Sequence, residues 1–301
     1  MCKKIDHLSV FKRNLFQNKK NLYLKIVLNE GNLMNIIETF LLGKENNPDT
    51  CEDGLFISDY LIAVIDGVTA KGTHLWNGKK SGCFAKDILL DTLKNITADS
   101  NNRIFLEQED SAVWILKKLD SALHQKSMEL YPNALPLEEY PRASIIFYND
   151  LRKEIVSYGD CQCKINGQLF SHLKKIDILN SELRAYHLEY AILHGKTIDD
   201  LKRNDVGRTA ILENLKMQFS FENKIGTFAY PVLNGFGIEP HLLKIYQIQR
   251  QDTIILASDG YSELGDSLEK SESLLKEILS EDPLCFRRNC STKGLKEGNI
   301  K

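Results

Sequence analysis

Apolar positions along this 301-residue chain follow two rhythms. Short, nearly unbroken apolar runs occur at 60–65 (YLIAVI), 143–148 (ASIIFY) and 253–257 (TIILA). Runs this short and this rich in β-branched residues predict strands buried on both faces. Elsewhere the apolar residues recur every three or four positions. Phe84, Ile88, Leu89, Leu93 and Ile96 predict one helix from Lys79. Val113, Leu116, Leu119, Ala122 and Leu123 predict a second over 110–131, and 267–279 a closing amphipathic one. The segment 178–222 also reads as helical. ELRAYHLEYAILHG carries a stripe with a glycine stop at Gly195, and ILENLKMQFSF forms a further helix.

The remaining strands are expected at 34–43, 227–233 and 242–248. ASIIFYND, EIVSYGD, CQCKING and QLF read as an antiparallel meander with a hairpin turn at Asn166-Gly167. This order predicts an α+β fold, a sandwich of sheets with helices outside. Residues 1–33 are basic and lack a clean period, so they are expected to form an extension, loosely ordered, ahead of a domain over 34–301. The alternative is one more strand at Leu22–Leu28.

Composition narrows the function classes only slightly. With 43% apolar and 27% charged residues and a formal charge of −2, the chain has the balance of a globular protein. That charge gives no reason to expect a nucleic-acid or membrane-surface partner. No run approaches the length of a membrane span, and 1–21 lacks the apolar centre of a secretory signal. Seven cysteines, an odd number, point to reduced thiols and a cytoplasmic setting. Cys161 and Cys163 have no second pair to complete a zinc set and are expected to be buried or half-buried thiols.

The candidate chemistry sits at strand ends. The run 59–67 (DYLIAVIDG) closes on Asp66-Gly67, 252–260 (DTIILASDG) on Asp259-Gly260, and 154–160 (EIVSYGD) on Gly159-Asp160. Glu52 and Asp53 precede the hairpin into the first of these strands. A lone Asp-Gly is an ordinary turn. Three carboxylates delivered beside glycines at strand ends suggest an all-oxygen set suited to Mg²⁺ or Mn²⁺. Two such ions about 4 Å apart can activate a shared water for in-line attack on phosphorus.

Taken in order, ED, VIDG, ASIIFYN, GD and LASDGYSEL resemble the metal-dependent protein phosphatase 2C (PPM) family in its bacterial branch, from about Met34 onward. The resemblance implies a four-layer αββα sandwich around a centre of two Mn²⁺ or Mg²⁺ ions. It implies Asp53, Asp66 and Asp259 as the catalytic metal ligands, joined by the Gly67 carbonyl, with Glu52 acting directly or through water. Asp160 would serve a third, weaker ion. The implied substrate is a phosphoserine or phosphothreonine protein, or a small phosphomonoester. Three departures accompany it. Pro48 stands where the family grips phosphate with arginine, and Val68 where many members place a histidine, His74 being the nearest one onward. The terminal acidic strand is absent from this sequence, so the domain is expected to be C-terminally incomplete. These departures keep open a second reading, a phosphatase-like pseudoenzyme acting as a binding or regulatory module. Other phosphate chemistries fit worse. Val64 breaks the Asp-x-Asp of a haloacid-dehalogenase nucleophile, Ser291 stands where a Cys-x5-Arg loop needs arginine, and Gly72 to Gly78 has the wrong spacing for a P-loop.

Overall fold

The computed structural model describes residues 21–28, 34–43, 50–69 and 71–294. Among the described residues ten strands form two five-stranded sheets, and every strand pair is antiparallel. One sheet contains β1 (Asn21–Leu28), β2 (Met34–Leu42), β7 (Gln162–Ile165), β8 (Gln168–Phe170) and β10 (Thr253–Ala257), in the order β2-β1-β10-β7-β8. The other contains β3 (Asp53–Ile57), β4 (Leu61–Gly67), β5 (Ala143–Asn149), β6 (Glu154–Tyr158) and β9 (Lys244–Gln247), in the order β3-β4-β5-β6-β9.

Strand parity explains the layering. In β4, Leu61, Ala63 and Ile65 face outward. They pack on Leu89 and Leu93 of α1 (Ser81–Ala98) and on Leu116 and Leu119 of α3 (Ser111–Leu130). A four-residue helix, α2 (Arg103–Leu106), links those two. Ile62 and Val64 point the other way, into a middle layer shared with Leu22, Leu24, Ile26, Ile254 and Leu256 of the opposite sheet. That sheet's outer face, through Tyr23 and Ile255, meets Leu275 and Ile278 of α8 (Leu268–Glu281), whose N-terminus is capped by Ser267. The result is the four-layer αββα sandwich. Each fully buried Leu or Ile of the middle layer contributes about 1.5–3 kcal/mol of transfer free energy. Alternation along β4 therefore specifies the register, because a slip by one residue would exchange the two faces.

Beside the sandwich stands a helical insert: α4 (Lys175–Leu193), α5 (Ile198–Arg203), α6 (Val206–Ala210) and α7 (Leu212–Met217). Gly195, at φ +88°, ends α4 as expected, with the Lys196 N–H donating back to the Ala191 carbonyl at 3.0 Å.

Several expectations need correction. Residues 21–28 are not part of an appended extension, because β1 lies between β2 and β10 and is almost wholly buried. The rest of 1–33 lies outside the described residues. The meander divides, with β5 and β6 in one sheet and β7 and β8 in the other. The chain crosses between sheets at Gly159, where φ is +127° and a Cβ would lie 2.3 Å from the Ser144 side chain. Only glycine fits that crossing. Residues 227–233 make isolated bridges rather than a strand, with Leu233 against Ala143 and Tyr230 against Glu222. The loop that follows is gathered by Asp120, whose carboxylate accepts the N–H groups of Asn234, Gly235 and Gly237. Asn166 and Gly167 both take positive φ, the hairpin geometry expected of that pair. Cys161, Cys163 and Cys290 are free thiols, the first two buried.

Candidate metal centre

The middle layer changes character at one end, from aliphatic to acidic. Asp66 continues the inward parity of Ile62 and Val64, so its carboxylate enters the layer between the sheets. Its register partners are Asp53 on β3 and Ser144 on β5. The opposite sheet contributes Ser258, two residues beyond Leu256. Its hydroxyl donates to Asp53 Oδ2 at 3.1 Å and accepts the Leu22 N–H at 3.1 Å. One serine thus ties both sheets to a buried carboxylate.

Asp160 follows the crossing glycine and arrives on the same side. Ser144 Oγ donates to its Oδ1 at 2.5 Å, and the Lys174 ammonium donates to its Oδ2 at 2.7 Å. Asp259 follows Ser258 on a turn held by Gln162, whose Nε2 donates to the carbonyls of Ser258 and Tyr261. Cys161 lies fully buried among these groups. Burial pushes its thiol well above the ordinary range, and the carboxylates of Asp66, Asp160, Asp53 and Asp259 push it further. The Cys161 thiol thus feels the charge of four acids carried by both sheets.

Backbone is packed tightly at the same place. The Gly67 N–H donates to the Glu52 carbonyl at 2.9 Å. A Cβ on Gly67 would stand 2.2 Å from the Gly82 carbonyl oxygen and 2.7 Å from that of Glu52. Glu52 is buried with its carboxylate turned toward α1. Its Oε2 accepts the Thr69 hydroxyl at 2.7 Å, and its Oε1 lies 2.8 Å from where a Cβ of Gly82 would sit.

Asp160 and Asp259 open onto a cleft of about 400 Å³. Asp160 and Asp259 form its floor, Asp177 and Ser181 of α4 one wall, and Asn289 to Lys293 the other. Burial pushes the Asp177 carboxyl up, opposed by Lys174 and reinforced by Asp160 and Asp259. Lys174, 2.7 Å from Asp160 and 4.0 Å from Asp177, also lies over the Tyr230 ring at 4.9 Å.

All-oxygen donors, two of them buried opposite one another and crowded by glycine backbone, have the chemistry of a hard divalent-cation site. As the side chains are placed, no three His, Cys, Asp or Glu among the described residues come close enough to enclose an ion. His74 stands apart, edge-on to Trp76 and Tyr131 on a loop whose Thr73 and His74 N–H groups donate to Glu139. Pro48 lies outside the described residues. Sequence reasoning missed Ser144, Ser258, Lys174 and Asp177. The two serines were within reach, since each has the inward parity of its strand; the lysine and Asp177 carried no local signal.

No family model matches the chain, and neither does any curated protein. Solved structures of similar architecture include serine/threonine phosphatases. The catalytic domain of PstP in complex with two manganese ions is 15% identical, with 85% of each chain covered and a TM-score of 0.43. Stp1 from Staphylococcus aureus is 16% identical over 94% of this chain and 96% of that one, at 0.41. RsbX in complex with magnesium is 13% identical over 88% and 90%, at 0.36.

Proposed function

We propose that the chain is a metal-dependent phosphohydrolase of the protein phosphatase 2C type, acting on phosphoserine or phosphothreonine in proteins or on a small phosphomonoester. The observation that supports this reading is the direct opposition of the buried Asp53 and Asp66 carboxylates across β3 and β4, at the end of the layer where Ser258 of the other sheet meets Asp53. Asp53, Asp66, the Gly67 carbonyl and Asp259 would hold Mn²⁺ or Mg²⁺, with Glu52 beside them. Such ions, when bound, lower the pKa of water and neutralise phosphoryl oxygens. The protein's own part is to position and screen. Ser258 fixes the orientation of Asp53, and Gln162 holds the turn carrying Asp259. Ser144 and Lys174 engage both oxygens of Asp160. The cleft wall at Asn289–Lys293 would face the group that carries the phosphate.

The test is hydrolysis of an aryl phosphate with Mn²⁺. Asp66→Asn and Asp259→Asn should each lower the rate by about 100-fold or more, beyond what loss of a supporting outer contact costs. Activity that survives both substitutions, or an excess of chelator, would remove the mechanism.

The second reading, a phosphatase-like binding module, has its own support. Lys174 already supplies a cation to Asp160, and the residue after Gly67 is the apolar Val68. Calorimetric titration with Mn²⁺ separates the two. Tight uptake of two ions favours the enzyme, and no uptake favours the module.

A further inference from the structure

Helix α4 turns an unexpected face to solvent. Its buried residues are Ile176, Asn180, Ser181, Arg184 and Leu188, and Leu188 packs with Leu201, Leu284 and Phe286. The more apolar face points away. Leu179, Leu183, Tyr186, Tyr190 and Leu193 are 44%, 37%, 66%, 54% and 82% exposed. Their steps along the chain are four, three, four and three residues, the spacing of a coiled-coil seam. A stripe sustained over two heptads on one helix differs from the scattered exposed leucines that every soluble protein carries.

We propose that the chain pairs with a second copy of itself through α4, the two helices lying parallel about a twofold axis. Three observations favour a second copy over another occupant. The heptad spacing is self-complementary, since each seam residue meets its own counterpart across such an axis. The residues flanking the seam are Glu182 and Glu189 on one side and His187 and His194 on the other. A parallel pair sets Glu182 beside the partner subunit's His187 and Glu189 beside the partner subunit's His194. An antiparallel pair over the same seam would instead set Glu182 against the partner subunit's Glu189, like charge against like. Glu189 also holds Arg287 of its own chain at 2.8 Å, which orients its carboxylate at the edge of the seam. The third observation is area. The exposed parts of these five side chains amount to about 600 Å² per copy, so a pair buries about 1,200 Å², the lower bound of a stable specific interface. The pairing is independent of the phosphatase reading, although Asp177 and Ser181 of the same helix line the cleft.

The test is sedimentation velocity of the full chain from about 1 to 100 µM, which spans the dissociation constants of weak, micromolar interfaces. The weight-average mass should rise toward twice that of the chain. Tyr186→Glu with Tyr190→Glu should weaken dimerisation at least 100-fold while leaving the circular dichroism unchanged, and the melting midpoint should match that of the parent chain at concentrations where both are monomeric. In a Cys290→Ser background, Leu193→Cys should give a disulfide-linked dimer on mild oxidation, which only the parallel alignment allows. A chain that stays monomeric across the range overturns the pairing, because the stripe then has another occupant. A dimer that persists in the double variant overturns α4 as its seat, and failure of Leu193→Cys to cross-link a dimeric chain overturns the parallel alignment.

Discussion

The acidic end of the sandwich and the clasp between the helical insert and the C-terminal segment both gather polar groups, but by opposite means. At the acidic end, short side chains on strand ends are placed by register. Asp53 faces Asp66, Ser144 faces Asp66, and glycine backbone closes the space around them. In the clasp, long side chains reach across open chain. Arg184 donates through Nε and Nη2 to Asp205 Oδ2 at 3.0 and 2.7 Å, and through Nη1 to the carbonyls of Cys285 and Ser291. Arg208 reaches the Thr292 carbonyl at 2.7 Å. The Asp282 carboxylate accepts the N–H groups of Phe286, Arg287 and Arg288. Register leaves no slack, whereas a clasp of arginines allows the backbone beneath it to vary. The acidic end should therefore respond to single atoms and the clasp to single charges.

Two glycines and one ion pair test that difference. Gly159→Ala should have the largest effect. It forces a side chain onto φ +127° and drives the Cβ to 2.3 Å from the Ser144 side chain. Backbone strain and overpacking together cost about 4 kcal/mol, read as a lower urea midpoint. Asp205→Ala comes next. It leaves the Arg184 guanidinium wholly buried beside carbonyls alone and uncaps α6, where Asp205 accepts the Arg208 N–H. Because Asp205 is partly open to solvent, about 3 kcal/mol is expected, the low end for breaking a buried pair. Adding Arg184→Met should restore a large part of it, since the stranded charge is then gone. Gly195→Ala is the smallest of the three. Gly195 has φ +88° but nothing within 4 Å of its Cβ position, so only the left-handed conformation is penalised, by about 1 kcal/mol. Equal losses at Gly159 and Gly195 would break the comparison.

The same contrast decides what could be read from the sequence. Strand parity is a local property, so the inward direction of Asp66 and the apolar layers around it follow from LIAVIDG alone. The crossing between sheets does not. A hairpin spacing says that two strands are close in sequence but not which sheet each joins, and Gly159 could equally have been a plain turn. Strand β1 was obscured by its setting. Lys25 interrupts its apolar run and lies beside a basic segment, yet the Lys25 ammonium simply reaches out to the Asp266 carbonyl at 2.9 Å. The orientation of α4 was ambiguous because both of its faces carry leucines. What turns the 176/180/184/188 face inward is Arg184, whose partners lie 21 to 107 residues away. Lys174 shows the same limit from the functional side, since nothing in HLKK separates the lysine that meets Asp160 from its neighbour, Lys175.

Cysteine labelling examines both regions in one experiment. Cys161 sits among the four carboxylates, and burial first and those charges second hold its thiol well above the ordinary range. Burial pushes the neighbouring Cys163 thiol up to about 12. Cys290, in the cleft wall of the clasp, is exposed; partial burial and then Asp282 and Glu182 raise its thiol, while Arg184 lowers it. Alkylation requires the thiolate and access to it. Under native conditions at pH 8, iodoacetamide should therefore modify Cys290 within minutes and leave Cys161 and Cys163 unmodified until the sandwich unfolds. Peptide mapping by mass spectrometry reads each site separately. The Gly159→Ala variant should expose Cys161 to labelling far more than Asp205→Ala does, because it loosens the crossing that encloses the thiol. Asp205→Ala should instead speed modification of Cys290, because it frees the arginine that holds the Cys285 and Ser291 carbonyls on either side. If Cys161 reacts as fast as Cys290 in the intact protein, the acidic end is open, and the rigidity attributed to strand register is wrong.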